Sequence, residues 1–250
     1  MLLLLVTAST AAAGPGWEGG FERLRYQVGW AFVPAGTAVI QARSPVPGHA
    51  EFRIEACTND ALDLIHQVHD RIITSASITK QGFRALYYRI IQNEGGHQKD
   101  KWLRFDDTGV VHTRNLRTGK SDYFPVPPDT LDVLTALFDT RRRPLEPGES
   151  YRIPVFDEDE SYQLVVEVEG RERMDTVLGK DTAVLRVHPR LKSQGVFRRK
   201  GTLRVWFTDD QRRIPVRMES KIAIGAVHAR LREVVRGRPK GKQVVNMACQ

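Results

Sequence analysis

The chain has 250 residues, of which 41% are hydrophobic and 27% are charged, and its formal net charge is +8. This length and composition are enough for one large β domain or two small ones with a real core, and they exclude an intrinsically disordered chain. No apolar run after the first residues approaches the length that spans a bilayer.

The first residues, MLLLLVTASTAAAGPG, join a short leucine run to small residues that end in Ala11, Ala12 and Ala13. This order is typical of the end of a secretory signal peptide, although a positively charged start is missing. We therefore expect a truncated signal peptide over residues 1–16 and export to the periplasm or cell envelope. A buried N-terminal strand is the alternative, but the Ala-Ala-Ala-Gly-Pro-Gly sequence that follows argues against it.

Alternating apolar and polar residues predict strands along most of the remaining chain, with turn residues about every eight to twelve positions. This pattern is typical of an antiparallel fold. We expect an all-β, mainly antiparallel protein: a single open barrel or half-barrel of about ten to twelve strands with two short helices. One domain covers residues 17–236, and a basic flexible tail covers 237–250. The predicted strands are Leu24–Phe32, Thr37–Ala42, Glu51–Cys57, Arg71–Ala76, Phe83–Gln92, Lys101–Phe105, Val110–Arg114, Tyr151–Val155, Tyr162–Glu169, Ala183–Val187, Leu203–Thr208 and Ile214–Ile224.

Two stretches have helical periodicity. Asp60 is placed to cap ALDLIHQVHD, and Asp129 or Thr130 is placed to cap LDVLTALFDT. Each stretch carries its leucines on one face, so both helices are expected to pack against the concave side of the sheet.

Three polar clusters resemble sites. Asp209 and Asp210 stand between two predicted strands, so they are interpreted as hairpin-turn residues and not as an acid/base pair. His66 and His69 could share a metal with Asp70, but a third ligand from elsewhere in the chain is missing, so no metal site is predicted. The acidic run 157–160 lacks the loop length and the glycine of a calcium site, and it is interpreted as a solvated turn.

Positive charge is concentrated in clusters. Those within the β domain are candidates for binding an anionic membrane surface, and the alternative is that they are only solvated. Export would exclude nucleic acid as a partner, and no cluster has the paired aromatics of an RNA-binding sheet. The candidates are Arg141, Arg142, Arg143, Arg198, Arg199 and Lys200.

Aromatic residues on the strands are candidates for lining an apolar concave surface, since barrel mouths often hold ligands. The alternative is that they simply pack the core. The candidates are Tyr26, Trp30, Phe32, Phe83, Tyr87, Phe105 and Phe207.

The sequence contains no catalytic motif, and we predict neither catalytic residues nor a cofactor. Its two cysteines, Cys57 and Cys249, fall in a predicted strand and the tail, so a fold-defining disulfide is not expected.

The order of several segments resembles the bacterial family of unknown function numbered 3108. The segments are YQVGWAFVPAGTAVIQ, VHDRIITSASI, YYRIIQNEGGHQKDKWLRFD and RVWFTDDQRRIPVRMESKIAIGAVHARL, together with the VEGRE segment around Gly170 and the isolated Gly179. The similarity covers almost everything from Phe21 to Leu231. It implies an exported envelope protein of Gram-negative bacteria with an antiparallel β fold, and it supplies no catalytic residues.

Two hypotheses remain open. One is an envelope carrier that holds an acyl chain or another lipophilic group in the concave face of an open barrel. The other is a scaffold or interaction protein with a filled core and no ligand, and a cell-wall glycan enzyme ranks third. The sequence leaves the ligand, the partner proteins and the oligomeric state open.

Overall fold

The structure is a computed structural model that describes residues 17–18, 20–31, 33–60, 63, 67–157, 159–193, 196–197, 202–221 and 225–237. Within these ranges the chain forms fifteen strands and one helix. They are β1 Phe21–Trp30, β2 Val33–Arg43, β3 His49–Thr58, β4 His69–Ile78, β5 Phe83–Glu94, β6 His97–Phe105, β7 Val110–Asn115, β8 Ser121–Pro125, α1 Val133–Arg142, β9 Ser150–Asp157, β10 Glu160–Thr176, β11 Gly179–Ser193, β12 Val196–Phe197, β13 Thr202–Thr208, β14 Pro215–Lys221 and β15 Ala226–Gly237.

All strands belong to one antiparallel sheet in the order β8-β7-β6-β5-β4-β3-β2-β1-β15-β14-β13-β11-β10-β9, and β12 pairs with the end of β11. The first and last strands are neighbours in the middle of the sheet. The two edges, β8 and β9, are consecutive in the chain, and the segment between them contains α1. The predicted all-β antiparallel fold is confirmed, with more strands than expected.

The sheet curls until its two edges approach each other. Phe156 on β9 packs against Tyr88, Leu103 and Val111 on β5, β6 and β7. Its ring centroid lies 5.2 Å from that of Phe124 on β8. Residues at opposite ends of the strand order can touch in this way only if the sheet is strongly curved.

Helix α1 packs against the concave side of the sheet, and its N-terminal cap ties it there. The Oδ1 atom of Asp132 accepts hydrogen bonds from the backbone N–H groups of Leu134 (3.0 Å) and Thr135 (2.9 Å). The Oδ2 atom accepts one from the hydroxyl of Thr74 on β4 at 2.8 Å. The fully buried carboxylate therefore satisfies the end of the helix and joins it to the sheet.

The predicted cap at Asp129 or Thr130 is wrong by two or three residues. The backbone N–H of Leu131 donates to the carbonyl of Pro154, and its carbonyl accepts from the N–H of Phe156, both at 2.9 Å. These bonds keep the chain extended alongside β9, so the helix begins only after Asp132.

An aromatic cluster fills the space under α1. Phe138 on the helix stacks on Phe52 of β3 with ring centroids 3.8 Å apart. The ring centroid of Trp17 lies 5.2 Å from that of Phe52 and 5.5 Å from that of Phe138. Phe83 of β5 lies 5.8 Å from Trp17. Together these four side chains form the centre of a core that includes residues from both halves of the sheet.

The other predicted helix does not reach Asp70, because His69 and Asp70 begin β4 and pair with Cys57 and Ala56 of β3. Most of that stretch, including His66, lies outside the described residues. No helix in the described ranges is both long and apolar enough to span a bilayer.

Candidate functional site

The sheet has two ends, because successive connections of an antiparallel meander alternate between them. The connections after β1, β3, β5, β7, β9, β11 and β14 share one end, which we name the Trp30 end. The connections after β2, β4, β6, β8, β10 and β13 share the other, which we name the Glu22 end.

On several strands, inward apolar residues that are buried midway along the strand give way to partly exposed ones toward the Trp30 end. On β3, Phe52 is buried and Ile54 is partly exposed; on β13, Val205 is 3% exposed and Leu203 is 40% exposed. Seven partly exposed residues that pack against the core make up this surface, which we name the inner apolar band. They are Ala38, Ile54, Ile72, Ile90, Leu164, Met218 and Ala229.

Strand register makes the band continuous. Ile54 pairs with Ile72, and Ile72 pairs with Ile90, so three isoleucines stand side by side on β3, β4 and β5. On the other half of the sheet, Met218 pairs with Ala229. Side chains paired in this way are close neighbours on one face.

The Glu22 end of the concave face is filled by the chain itself. Trp17, Leu145 and the buried face of α1 pack there among the strands. A ligand of the concave face would therefore have to enter from the Trp30 end.

A pair of carboxyl groups lies where β4 and β5 reach the Trp30 end. Asp70 accepts hydrogen bonds from the backbone N–H of Asn93 and from the side-chain amide of Gln92, both at 3.2 Å. A hydrogen bond with Asp70, burial and the charge of Asp70 together raise the pKa of Glu94 to about 7. The Glu94 carboxyl group is therefore largely protonated below neutral pH.

Within the described ranges, no three histidine, cysteine, aspartate or glutamate side chains are grouped so that they could hold a metal ion.

Comparison with known proteins places the chain in a family. A model described as "Protein of unknown function (DUF3108)" matches residues 25–232. The chain belongs to the DUF3108 family. The resemblance found in the sequence is thus confirmed, and no curated protein matches this DUF3108 chain.

A similar fold is found in the crystal structure of a β-barrel-like protein of the domain of unknown function DUF1849 from Brucella abortus. The two structures superpose with a TM-score of 0.59 over 88% of the DUF3108 chain and 99% of the other, at 12% sequence identity. At this identity the likeness concerns the fold alone.

The predicted lining aromatics of the DUF3108 chain lie in different environments. Tyr26, Phe83 and Phe207 are buried in the core, and the Tyr26 hydroxyl donates to the carbonyl of Pro215 at 2.7 Å. Phe105 is partly exposed and packs against the core, whereas Trp30 is 42% exposed at the end of β1. Phe32 lies outside the described residues.

Tyr87 lies on the convex face, and a β-bulge explains why. Ser75 pairs with Tyr87 and Ala76 pairs with Ala85, so Leu86 is an extra residue on β5. Beyond the bulge the alternation is shifted by one residue, and Tyr88 points inward in place of Tyr87.

Arg141, Arg142 and Arg143 do not form the predicted anionic-surface cluster. Arg141 is buried and pairs with the buried Glu22 at 2.7 Å; its guanidinium also donates to the carbonyl of Arg212. Arg142 pairs with Glu18, and Arg143 pairs with Asp139. All three guanidinium groups also lie over aromatic rings, which are those of Phe138, Phe83 and Tyr151.

The second predicted cluster, Arg198, Arg199 and Lys200, lies outside the described residues. Its neighbours Phe197 and Thr202 lie at the Trp30 end, whereas α1 carries Arg141 to Arg143 to the Glu22 end.

Asp209 and Asp210 are turn residues, as predicted. They lie between β13 and β14, where Oδ1 of Asp210 accepts from the Thr208 hydroxyl (2.7 Å) and from the N–H groups of Arg212 and Arg213. Asp209 pairs with Arg171 and Arg213. Burial acts to raise the pKa of both carboxyl groups, but hydrogen bonds and arginine charges outweigh burial. The pKa of each group is therefore below its ordinary value.

Cys57 on β3 is disulfide-bonded. This bond was not expected from the sequence. Cys249, the other cysteine of the chain, lies outside the described residues.

Sequence reasoning missed the inner apolar band because it looked for large aromatics. The aliphatic residues in RIITSASI and YYRIIQNE carried the signal, since they continue the alternation of the buried residues toward one end of their strands.

Proposed function

We propose that this DUF3108 protein binds a lipophilic molecule with an acyl chain on the concave face of its half-barrel, at the inner apolar band. The observation that carries the proposal is the gradient of exposure along the strands. Apolar side chains that face inward remain accessible at the Trp30 end, while the Glu22 end is packed by α1 and Trp17. Concave apolar surfaces at barrel mouths are common ligand sites.

An acyl chain suits the band better than a polar ligand. Neighbouring residues of the band are aliphatic across β3, β4 and β5, so they offer contact area and no hydrogen bonds. Polar groups flank the band: Lys101 pairs with Ile90 across the next strand, and Asp70, Gln92 and Glu94 stand at the rim. A ligand with an apolar chain and a polar head would match this order.

We also propose that the protein works in the cell envelope of a Gram-negative bacterium. The signal-like first residues support this proposal, and so does the disulfide at Cys57, because disulfides persist in oxidising compartments. Lipid molecules are the abundant acyl compounds there.

Titration with a fluorescent fatty acid tests the proposal. Ile72→Gln places a polar group in the band and should weaken binding of the probe by roughly tenfold. Ile73→Gln is the matched control, since Ile73 is the next residue on β4 and belongs to neither core cluster. Equal affinity of both variants and the parent protein would refute binding at the band.

The second candidate is a scaffold or interaction protein without a ligand. The packed aromatic cluster under α1 favours it, since a filled core is what a scaffold requires. This candidate predicts no saturable binding of the fatty acid by the parent protein.

A further inference from the structure

The tip of the β1–β2 hairpin is an exposed apolar feature at the Trp30 end. Trp30 is 42% exposed and Val33 is 56% exposed, and they face each other as a strand pair. Along β1, Trp30 follows Leu24, Tyr26 and Val28 on the concave side, so it stands at the rim beyond the inner apolar band.

The tip is held in place by Gly225 and Ala226 at the start of β15. The N–H of Ala31 donates to the carbonyl of Ala226 at 2.8 Å. A Cβ atom on Gly225 would lie 3.3 Å from Nε1 of Trp30, and Gly225 has a φ of +82° that favours glycine. The indole therefore rests against the Gly225 backbone, and the exposed apolar surface is fixed before any partner arrives.

Charge differs between the two sides of the Trp30 end. The last four residues of β1, β2, β14 and β15 at this end include the charged residues Glu219 and Lys221, and Glu219 is paired with Arg217. On the side of β3 to β6, the corresponding strand ends and the β3–β4 connection contain six carboxyl groups and two cations, which are Glu55, Asp60, Asp63, Asp70, Glu94 and Asp100 against Arg71 and Lys99. The side that carries Trp30 is thus apolar with an exposed lysine, while the opposite side is acidic.

We propose that the edge formed by Trp30, Val33 and Gly225 rests on a lipid bilayer surface, with the acidic side of β3 to β6 turned away. Tryptophan favours the headgroup level of bilayers, where its ring is apolar and its N–H stays hydrated. Lysine at the same edge suits anionic headgroups, which would repel the carboxylates of the other side.

The role of this contact in ligand transfer rests on the proposed function. Contact through this edge brings the entrance of the inner apolar band to the membrane, where an acyl ligand would be taken up or delivered. Arg141, Arg142 and Arg143 take no part in this contact, because they pair with carboxylates at the Glu22 end.

Co-sedimentation with vesicles tests the contact. The vesicles are phosphatidylethanolamine with phosphatidylglycerol, and a second set is phosphatidylcholine alone. The variant is Trp30→Ala with Val33→Ser. The matched control is Tyr123→Ala with Val177→Ser, since Tyr123 is 67% and Val177 is 51% exposed and neither belongs to this edge.

The edge variant should lose about tenfold or more in vesicle partitioning, while the control variant should match the parent protein. Thermal unfolding checks that both variants are folded. Equal partitioning of the two variants, or no partitioning of the parent protein, would overturn the contact. A parent protein that dimerises through Trp30 in sedimentation experiments without lipid would overturn it in favour of a second copy.

Fatty-acid titration in solution separates the two proposals. Val33→Ser alone should bind vesicles more weakly than the parent protein. It should bind the fluorescent fatty acid as the parent protein does if the edge only contacts the bilayer. A parent protein that binds the fatty acid but never the vesicles would refute the contact and leave the ligand site standing.

Discussion

Replacing Arg141 tests whether its guanidinium group stabilises the fold or serves as a surface charge. Arg141→Met keeps most of the side-chain volume and removes the charge that pairs with Glu22. Both side chains are buried, and removing one partner of a buried ion pair typically costs about 3–5 kcal/mol. Since Arg236 also pairs with Glu22 at 2.7 Å, we expect the lower end, about 3 kcal/mol.

Urea and thermal unfolding followed by circular dichroism measure this loss. For a chain of this size, about 3 kcal/mol corresponds to a fall in Tm of roughly 6–12 °C. Arg143→Met is the control, because Arg143 is 37% exposed and its pair with Asp139 should contribute no more than about 1 kcal/mol.

The pH dependence provides a second readout. Burial raises the pKa of Glu22, but the charges and hydrogen bonds of Arg141 and Arg236 outweigh burial and hold it below its ordinary value. The stabilisation is therefore present above that ordinary value and is lost as the pH falls through the lower folded-state pKa. In Arg141→Met this acid sensitivity should shrink. Equal stability of the two variants, with vesicle binding lost only in Arg141→Met, would refute the structural role.

Three further predictions concern the rim, the turn and the remaining basic cluster. The pKa of Glu94 is raised from 4.5 to about 7, so its contribution to stability is full below the pKa of the unfolded chain and fades as the pH rises toward 7. Glu94→Gln should therefore flatten the dependence of Tm on pH between these two values. Changing Asp209 and Asp210 together to Asn should alter the free energy of unfolding by no more than about 1 kcal/mol. The side-chain oxygen of an asparagine can still accept the hydrogen bonds of the turn. A loss of ligand binding with the fold intact would contradict their role as turn residues. Replacing Arg198, Arg199 and Lys200 with Gln should weaken binding to anionic vesicles by roughly 1 kcal/mol per charge with Tm unchanged, and an equal effect on phosphatidylcholine vesicles would argue against electrostatics.

Sequence periodicity located most strands because each has one buried face, and burial fixes the alternation. Periodicity gave wrong or missing predictions where a β-bulge or an exposed sheet edge determined the local structure. Leu86 adds a bulge to β5 and reverses the faces of Tyr87 and Tyr88. Ser121–Pro125 forms β8 at a sheet edge, where alternating exposed residues leave little apolar signal.

The candidate site was harder to predict because it depends on what fills the concave face. In the sequence, Arg141 has the pattern of a surface charge. Its ion-pair partner Glu22 is brought beside Arg236 only by the pairing of β1 with the end of β15. In the same way, Ile54 and Phe52 read alike as inward residues of β3. Their exposure differs because α1 covers Phe52 and stops short of Ile54.

Mass spectrometry of the organic extract from purified protein tests ligand binding at the inner apolar band most directly. We expect an acyl-containing compound in stoichiometric amount from the parent protein. It should be absent from Ala38→Trp, where the added ring would occupy the band, and present in Ile73→Gln, where the change is on the other face. An extract free of lipophilic compounds from folded parent protein, or equal amounts from all three proteins, would contradict binding at the band.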